Sequence, residues 1–261
     1  DRLFRIMPTR PDLALFDFDG TLTTCETFPL FVKRVLPKSR LLVGWLRLWP
    51  LVLGYRLRWV SGTHLRAAIV RLGFEGAAVD ALEQAGAHFA ETVLPGLMRR
   101  EAMTRLAWHR ERGDRVVIVS GGLGVYLRAW AAGQGLELLC SELEALDGRC
   151  TGAFAGAQCV GPEKARRVRE RIDIARYGEV YAYGDTQEDA QLLSVADRPG
   201  SRGRPVARSA SARCARQRQP LGRRFLADVR AAGAPGQGAF SAAARQGRRA
   251  RRSSTSALDS C

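Results

Sequence analysis

Lysine is almost missing: Lys33, Lys38 and Lys164 are the only three in a chain of 261 residues that takes the rest of its positive charge from arginine. Histidine is as scarce, with His64, His88 and His109. Chemistry built on a histidine base or on clustered imidazole ligands therefore has little to draw on, and these three are read as surface or packing residues. The six cysteines (Cys25, Cys140, Cys150, Cys159, Cys214, Cys261) form no CxxC pair and no regular framework, which argues against thiol-bound metal and points to free thiols in a reducing compartment. Asp1–Pro11 has charges but no sustained apolar core, so no signal peptide is read there. A long apolar run is lacking too. The most apolar region, Leu41–Val60, is broken by Arg47, Pro50, Arg56 and Arg58, and its longest uncharged run is Leu48–Tyr55, far short of the roughly 20 residues a spanning helix needs. The expectation is a cytoplasmic protein, with peripheral attachment at the inner face of the membrane as the alternative.

Charge is present in excess but unevenly placed. Of the formal net charge of +15, residues 198–261 carry +13, from fifteen arginines against Asp228 and Asp259. Residues 1–197 are left at about +2, which argues against nucleic acid as the partner of the folded part.

The chain turns on Leu13-Ala14-Leu15-Phe16-Asp17-Phe18-Asp19-Gly20-Thr21, an apolar run of strand type that stops at two carboxylates one residue apart. On an extended backbone both project to one side and can reach one metal ion or one phosphoryl group. A calcium loop counted from Asp17 would need Gly at the sixth place and Glu at the twelfth; Leu22 and Phe28 stand there. Thr24 to Leu94 reads as a helical insert, with Pro37 and Pro50 bracketing one segment, Thr63 capping another that runs to about Gly73, and a third over 77–93. From Leu97 helices and strands alternate, with strands at 115–119, 136–140 and 179–183, and Asp147-Gly148 offers a hairpin turn. This predicts an α/β protein: a Rossmann-like parallel sheet with a helical cap inserted after the first strand, and ligands at the carboxyl ends of the strands. The discontinuous core is assigned to 1–23 and 95–197, the cap to 24–94 and a basic low-complexity tail to 198–261.

Two more strands end in polar residues suited to phosphate. Val116–Val119 runs into Ser120-Gly121-Gly122, and Val180–Tyr183 into Gly184-Asp185-Thr186-Gln187-Glu188-Asp189. Lys164 stands at a helix start, a compact point charge in an arginine-rich chain.

These four motifs, in this order over about residues 12–197, resemble the haloacid dehalogenase superfamily of phosphatases, and within it the subfamily IB branch that contains phosphoserine phosphatase. The resemblance implies a phosphomonoester hydrolase in which Asp17 is the nucleophile, forming an aspartyl-phosphate, and Asp19 the general acid and base. It implies Mg²⁺ held by Asp17, the backbone carbonyl of Asp19 and Asp185, with Asp189 ligating or orienting, and a phosphoryl group held by Ser120, Gly121 and Lys164. Glu26 and Arg66 match, in position, residues that meet the amine and carboxylate of a small substrate such as phosphoserine. The insert also suggests another substrate. Residues 27–74 hold nine basic side chains, Trp45, Trp49 and Trp59, and no acid, a composition suited to an anionic membrane surface and so to a lipid phosphate, as in relatives that include a phosphatidylglycerophosphate phosphatase. A third reading, from another class, is a basic anion-binding module with a vestigial site. Relatives usually continue past a segment like Ser194–Asp197 into a further strand, and the Arg/Ala/Ser/Gly-rich text here predicts none. A shifted reading frame near Pro199 would explain that text and leave the core without an edge element.

Overall fold

The computed structural model describes residues 10–205. Its central strand is β1, Leu13–Phe16. All four residues are buried because both faces are covered: Ala14 and Phe16 pack into one apolar cluster, Leu13 and Leu15 into the other. A continuous apolar run therefore reads as a strand of a parallel sheet. β2 (Arg115–Leu123) pairs with one side of β1 and β6 (Val180–Tyr183) with the other, both parallel. β3 (Glu137–Ser141) extends the sheet beyond β2, and β7 (Arg198–Ser201) and β8 (Arg204–Pro205) extend it beyond β6, giving the order β3-β2-β1-β6-β7-β8. Helices α5 (Arg100–Glu111), α6 (Gly124–Gln134), α7 (Pro162–Arg171) and the short α8 (Ala190–Leu193) connect or flank these strands.

Four helices fill the stretch between β1 and β2 ahead of α5: α1 (Thr27–Val35), α2 (Lys38–Arg56), α3 (Gly62–Phe74) and α4 (Val79–Thr92). Phe31, Phe89 and Tyr126 tie them to the core, with Phe31–Tyr126 ring centroids 4.9 Å apart and Phe89–Tyr126 5.4 Å. Gly86 lets α4 lie directly on α6, since a Cβ there would stand 2.2 Å from the Val125 carbonyl oxygen. The hairpin β4 (Leu143–Leu146) and β5 (Arg149–Phe154) turns at Asp147-Gly148, both at positive φ, as the dipeptide predicts. It forms a sheet of its own, and its bonds run to the cap: Gly76 N–H donates to the Cys150 carbonyl at 2.8 Å and Cys150 N–H to Ala77 at 2.9 Å.

Three expectations are corrected. Pro50 does not end a helix; α2 runs through it to Arg56, leaving the Leu46 carbonyl without its helical donor. Ser61, not Thr63, caps α3, its hydroxyl accepting the His64 N–H at 3.3 Å. The sheet also does not stop at Asp197. β7 (Arg198–Ser201) pairs parallel with β6, and β8 (Arg204–Pro205) turns back against it. Arg198 and Pro199 serve as a strand because it lies toward the sheet's edge, where charge and proline are tolerated. The core therefore has its edge element, and a frame shift at Pro199 is not needed to explain a missing one. The remainder of the basic tail, with Cys214 and Cys261, lies outside the described residues; the four other cysteines are free thiols.

His109 is fully buried behind the sheet and packs edge-on against Phe16. Its Nδ1 stands 2.7 Å from Asp114 Oδ2 and its Nε2 3.0 Å from the Tyr183 hydroxyl. Burial holds its pKa below the usual value, against the pull of Asp114, so the neutral ring donates to Asp114 and accepts from Tyr183. Replacing Tyr183 by Phe leaves Nε2 buried and unpaired; a loss of about 1–3 kcal/mol is expected in urea unfolding at neutral pH, and an unchanged midpoint would show that the bond carries no stability.

Candidate active site

The registers fix where chemistry gathers. Phe16 lies beside Ile118 of β2 and Tyr183 of β6, so the residues that follow each of them emerge together at the carboxyl edge. Asp17 is anchored there by its own N–H, which donates to the Tyr183 carbonyl at 2.9 Å. Lys164, in the first turn of α7, reaches the same point. Its Nζ donates to Asp17 Oδ1 and to Asp189 Oδ1, both at 2.5 Å, with the lysine only 3% exposed.

Asp189 is fixed on its other oxygen as well. Oδ2 accepts from the Thr186 hydroxyl at 2.9 Å and from the backbone N–H of Thr186 and Asp185 at 3.1 and 3.2 Å. With both oxygens engaged, Asp189 orients Lys164 and the loop bearing Asp185. Asp185 lies against the turn after β1: Gly20 sits at φ +80°, and a Cβ there would be 2.6 Å from Asp185 Oδ2. Glycine is required at that place both for the backbone angle and for the room.

Asp19 is held by a residue the motif does not contain. Its Oδ1 accepts from the Thr27 hydroxyl at 2.6 Å and the Thr27 N–H at 2.9 Å, and the Thr27 hydroxyl lies 2.9 Å from that of Tyr126. Arg99 holds the same turn from outside, donating to the Gly20 carbonyl at 3.1 Å. Ser120 is fully buried and accepts the Gly122 N–H at 2.9 Å, which leaves its own proton to give. The Gly121 carbonyl accepts from Ser141 and from Arg66, whose guanidinium also lies 4.8 Å over the Phe28 ring. Arg66 and Glu26, the two cap residues expected at the substrate, are thus brought to the mouth beside Asp19, near enough for Asp19 to push the Glu26 carboxyl up and Arg66 to draw it down.

Sequence reasoning did not find Thr27, Tyr126, Arg99 or Arg202. Arg202 Nε lies 3.7 Å from Asp185 Oδ2, carried there by the β7–β8 turn inside the stretch read as tail. A hydroxyl in an apolar helix and a lone arginine leave no pattern in one sequence; only the folded register joins them to the site.

The electrostatics have one theme. Burial, with Asp189 alongside, pushes the Asp17 carboxyl well above its ordinary value even with Lys164 bonded to it. Burial raises Asp19 as well, against the two Thr27 bonds. Asp185 is pushed up to about 6 and Glu26 to about 8, in both cases chiefly by burial. Burial pulls Lys164 down, but the two carboxylates outweigh it and hold it as the ammonium, well above the usual lysine range. Ligand oxygens of Asp17, Asp185 and Asp189 lie within 4.8 Å of one another. Three carboxylates against the Lys164 ammonium and the longer Arg202 contact leave the group short of positive charge, which suits a divalent cation with oxygen ligands.

Lys164→Met strands Asp17 and Asp189 together without their cation. A loss of about 3–5 kcal/mol is expected in urea unfolding at pH near 7, shrinking at acidic pH, where Asp17, already raised, is neutral. An equal loss at both pH values would mean the lysine acts by packing alone.

The sequence model of the haloacid dehalogenase-like hydrolases matches residues 14–194. Protein CicA of Caulobacter vibrioides is 36% identical over 212 residues, covering 77% of this chain and 91% of CicA. Among solved structures, a protein of unknown function from Bordetella pertussis Tohama I superposes with a TM-score of 0.64 at 22% identity, over 73% of this chain and 89% of that one. A probable phosphoserine phosphatase from Vibrio cholerae superposes with a TM-score of 0.56 at 18% identity, over 73% of this chain and 55% of that one; at such identities the likeness is one of fold. By its matched sequence, the chain belongs to the haloacid dehalogenase-like hydrolases.

Proposed function

We propose that the protein is a Mg²⁺-dependent phosphomonoester hydrolase working through a phosphoaspartate on Asp17. The observation that carries the reading is the Lys164 ammonium held between Asp17 and Asp189 at the carboxyl edge of the sheet. An ammonium there neutralises a nucleophilic carboxylate and can also bind a phosphoryl oxygen. Asp17 attacks phosphorus through a carboxylate oxygen, and the bond from phosphorus to the leaving oxygen breaks. Asp19, raised by burial and so able to carry a proton, gives it to that oxygen. In the second half Asp19 takes a proton from water as the water oxygen attacks phosphorus, and Asp17 leaves as the carboxylate. Thr27 fixes Asp19 for both transfers. Ser120, the Gly121 N–H and Lys164 hold the phosphoryl oxygens while charge moves.

Asp17 and Asp185, with the Asp19 carbonyl, would hold Mg²⁺, and Asp189 would orient the set. When bound, the ion offsets the repulsion between Asp17 and a phosphate dianion.

For the leaving group, Glu26 and Arg66 beside Asp19 support a small phosphorylated metabolite such as phosphoserine, Glu26 meeting its amine and Arg66 its carboxylate. A cationic amine would restore the charge on a carboxyl that burial now holds near 8. A second reading, a lipid phosphate, is favoured by one observation: helix α2 of the cap leaves apolar side chains exposed along its length.

Asp17→Asn should abolish turnover of an aryl phosphate and the hydroxylamine-sensitive label left by radioactive substrate. Asp19→Asn should lower kcat by about 10²–10⁴-fold while labelling persists. Turnover by pure Asp17→Asn protein would reject the mechanism. Because burial raises both Asp17 and Asp185, the latter to about 6, protons compete with Mg²⁺ below that pH, so its Kd should rise by at least about tenfold per pH unit in calorimetry as the solution is acidified further. A Kd independent of pH would remove Asp185 from the ligand set.

A further inference from the structure

Outside the active site, large exposed apolar side chains collect on one element. Leu42, Val43, Trp45, Leu46, Trp49 and Leu53 lie on α2, and Leu57 and Trp59 on the turn that follows. Helix α2 buries only Val52 and Gly54. A helix this apolar is ordinarily buried, and a cluster of exposed apolar groups marks a surface that meets something. The spacing is specific: Leu42, Trp45, Leu46, Trp49 and Leu53 fall within one stripe of a helix turning about 100° per residue. Lys38 and Arg56 close its two ends, while Arg47 and Arg40 lie on the far side.

The turn after the helix continues the surface. Arg58 closes α2 at φ +66°, and the Trp59 N–H donates back to the Gly54 carbonyl at 2.8 Å. A residue at that place usually packs on the helical residue it bonds to. Gly54 offers no side chain, and Trp59 stays 82% exposed. Tyr55, on the last turn of α2, stands close enough to the mouth of the active site to feel Glu188, Glu26 and Arg66.

We infer that α2 and the turn through Trp59 form a docking surface for an anionic lipid bilayer, with the tryptophan and leucine stripe in the acyl boundary and the surrounding lysines and arginines at the headgroup phosphates. Charge selects this occupant. Lys38, Arg56 and Arg58 border the stripe in a stretch, residues 27–74, that holds no acid, so a second copy seated stripe to stripe would bring these six cations together with no counter-charge from that stretch of either copy. A neutral protein groove would leave the same cations unmatched. An anionic membrane meets both the stripe and the charge, and no described helix is long and apolar enough to cross it. The surface stands whether or not the hydrolase reading holds.

The test uses the full chain with vesicles of phosphatidylcholine, alone or with about one third phosphatidylglycerol, and with acyl chains brominated for tryptophan quenching. Co-sedimentation with the phosphatidylglycerol vesicles, and quenching that requires them, is expected. A triple variant Trp45→Ser, Trp49→Ser, Trp59→Ser should lose the quenching and bind roughly tenfold or more weakly, while hydrolysis of a soluble aryl phosphate is unchanged. A second variant, Lys38→Gln, Arg56→Gln, Arg58→Gln, should bind on the order of 100-fold more weakly with its tryptophans intact. Pelleting without quenching would mean that charge elsewhere in the chain holds the vesicle, and would overturn the inference. So would a triple variant that binds like the parent, or tryptophans shielded by raising protein concentration in the absence of lipid.

Discussion

A single ammonium joins three parts of the chain that are far apart in sequence. Lys164 bonds Asp17, 147 residues before it, and Asp189, 25 residues after it. Burying a lysine beside two carboxylates costs desolvation that only close, well-aligned bonds return. Those bonds exist because β1 lies between β2 and β6 and because α7 begins at the carboxyl edge of that sheet. Shift β1 by one residue in its register and Asp17 moves away from Lys164 while Leu13 and Leu15 exchange faces with Ala14 and Phe16. The apolar alternation that stabilises the sheet and the polar contact that makes the site are thus set by one register.

The same bonds leave a deficit. Asp17, Asp185 and Asp189 outnumber Lys164, and burial raises Asp17 and Asp185 together. A site resting in this condition attracts cations, and it would repel a phosphate unless positive charge comes from elsewhere. The cap supplies some of it. Its segment from Thr27 to Phe74 contains no acid, and Arg66 extends from it to the Gly121 carbonyl and the Phe28 ring. Because Phe31 and Phe89 are wedged against Tyr126 of the core, and Tyr126 reaches the Thr27 hydroxyl that holds Asp19, the packing that seats the cap is continuous with the bonds that fix the Asp19 carboxylate.

How far the sequence could be read follows from where each signal is stored. β1, β2 and β6 were legible because a strand covered on both faces must be apolar throughout, and Asp17, Asp19, Ser120, Asp185 and Asp189 because each follows such a strand or the turn that ends it. Lys164 stood out through the rarity of its residue type. Thr27, Tyr126 and Arg99 were invisible for the opposite reason: their partners lie 8, 99 and 79 residues away, and nothing local distinguishes them from ordinary residues of a helix or of the turn before one. Pro50 misled because proline's local cost was read as a stop, whereas the turns on either side of it continue the helix around one lost bond.

The stretch after Asp197 makes the sharpest case. Its composition changes at Arg198, and by composition alone the fold should end there. Yet Pro199 and Gly200 lie beside Ala182 and Tyr183, and the Gly200 carbonyl accepts the Gly184 N–H at 3.2 Å. That bond sits immediately before Asp185. The next turn then carries Arg202 to within 3.7 Å of the Asp185 carboxylate, where it lowers a group that burial and Asp189 raise. An edge strand needs few apolar side chains, because one side of it faces water and its backbone bonds are indifferent to residue type. A change in composition therefore does not mark the limit of the sheet, and residues that look like the start of a tail help hold the loop on which the third carboxylate is borne.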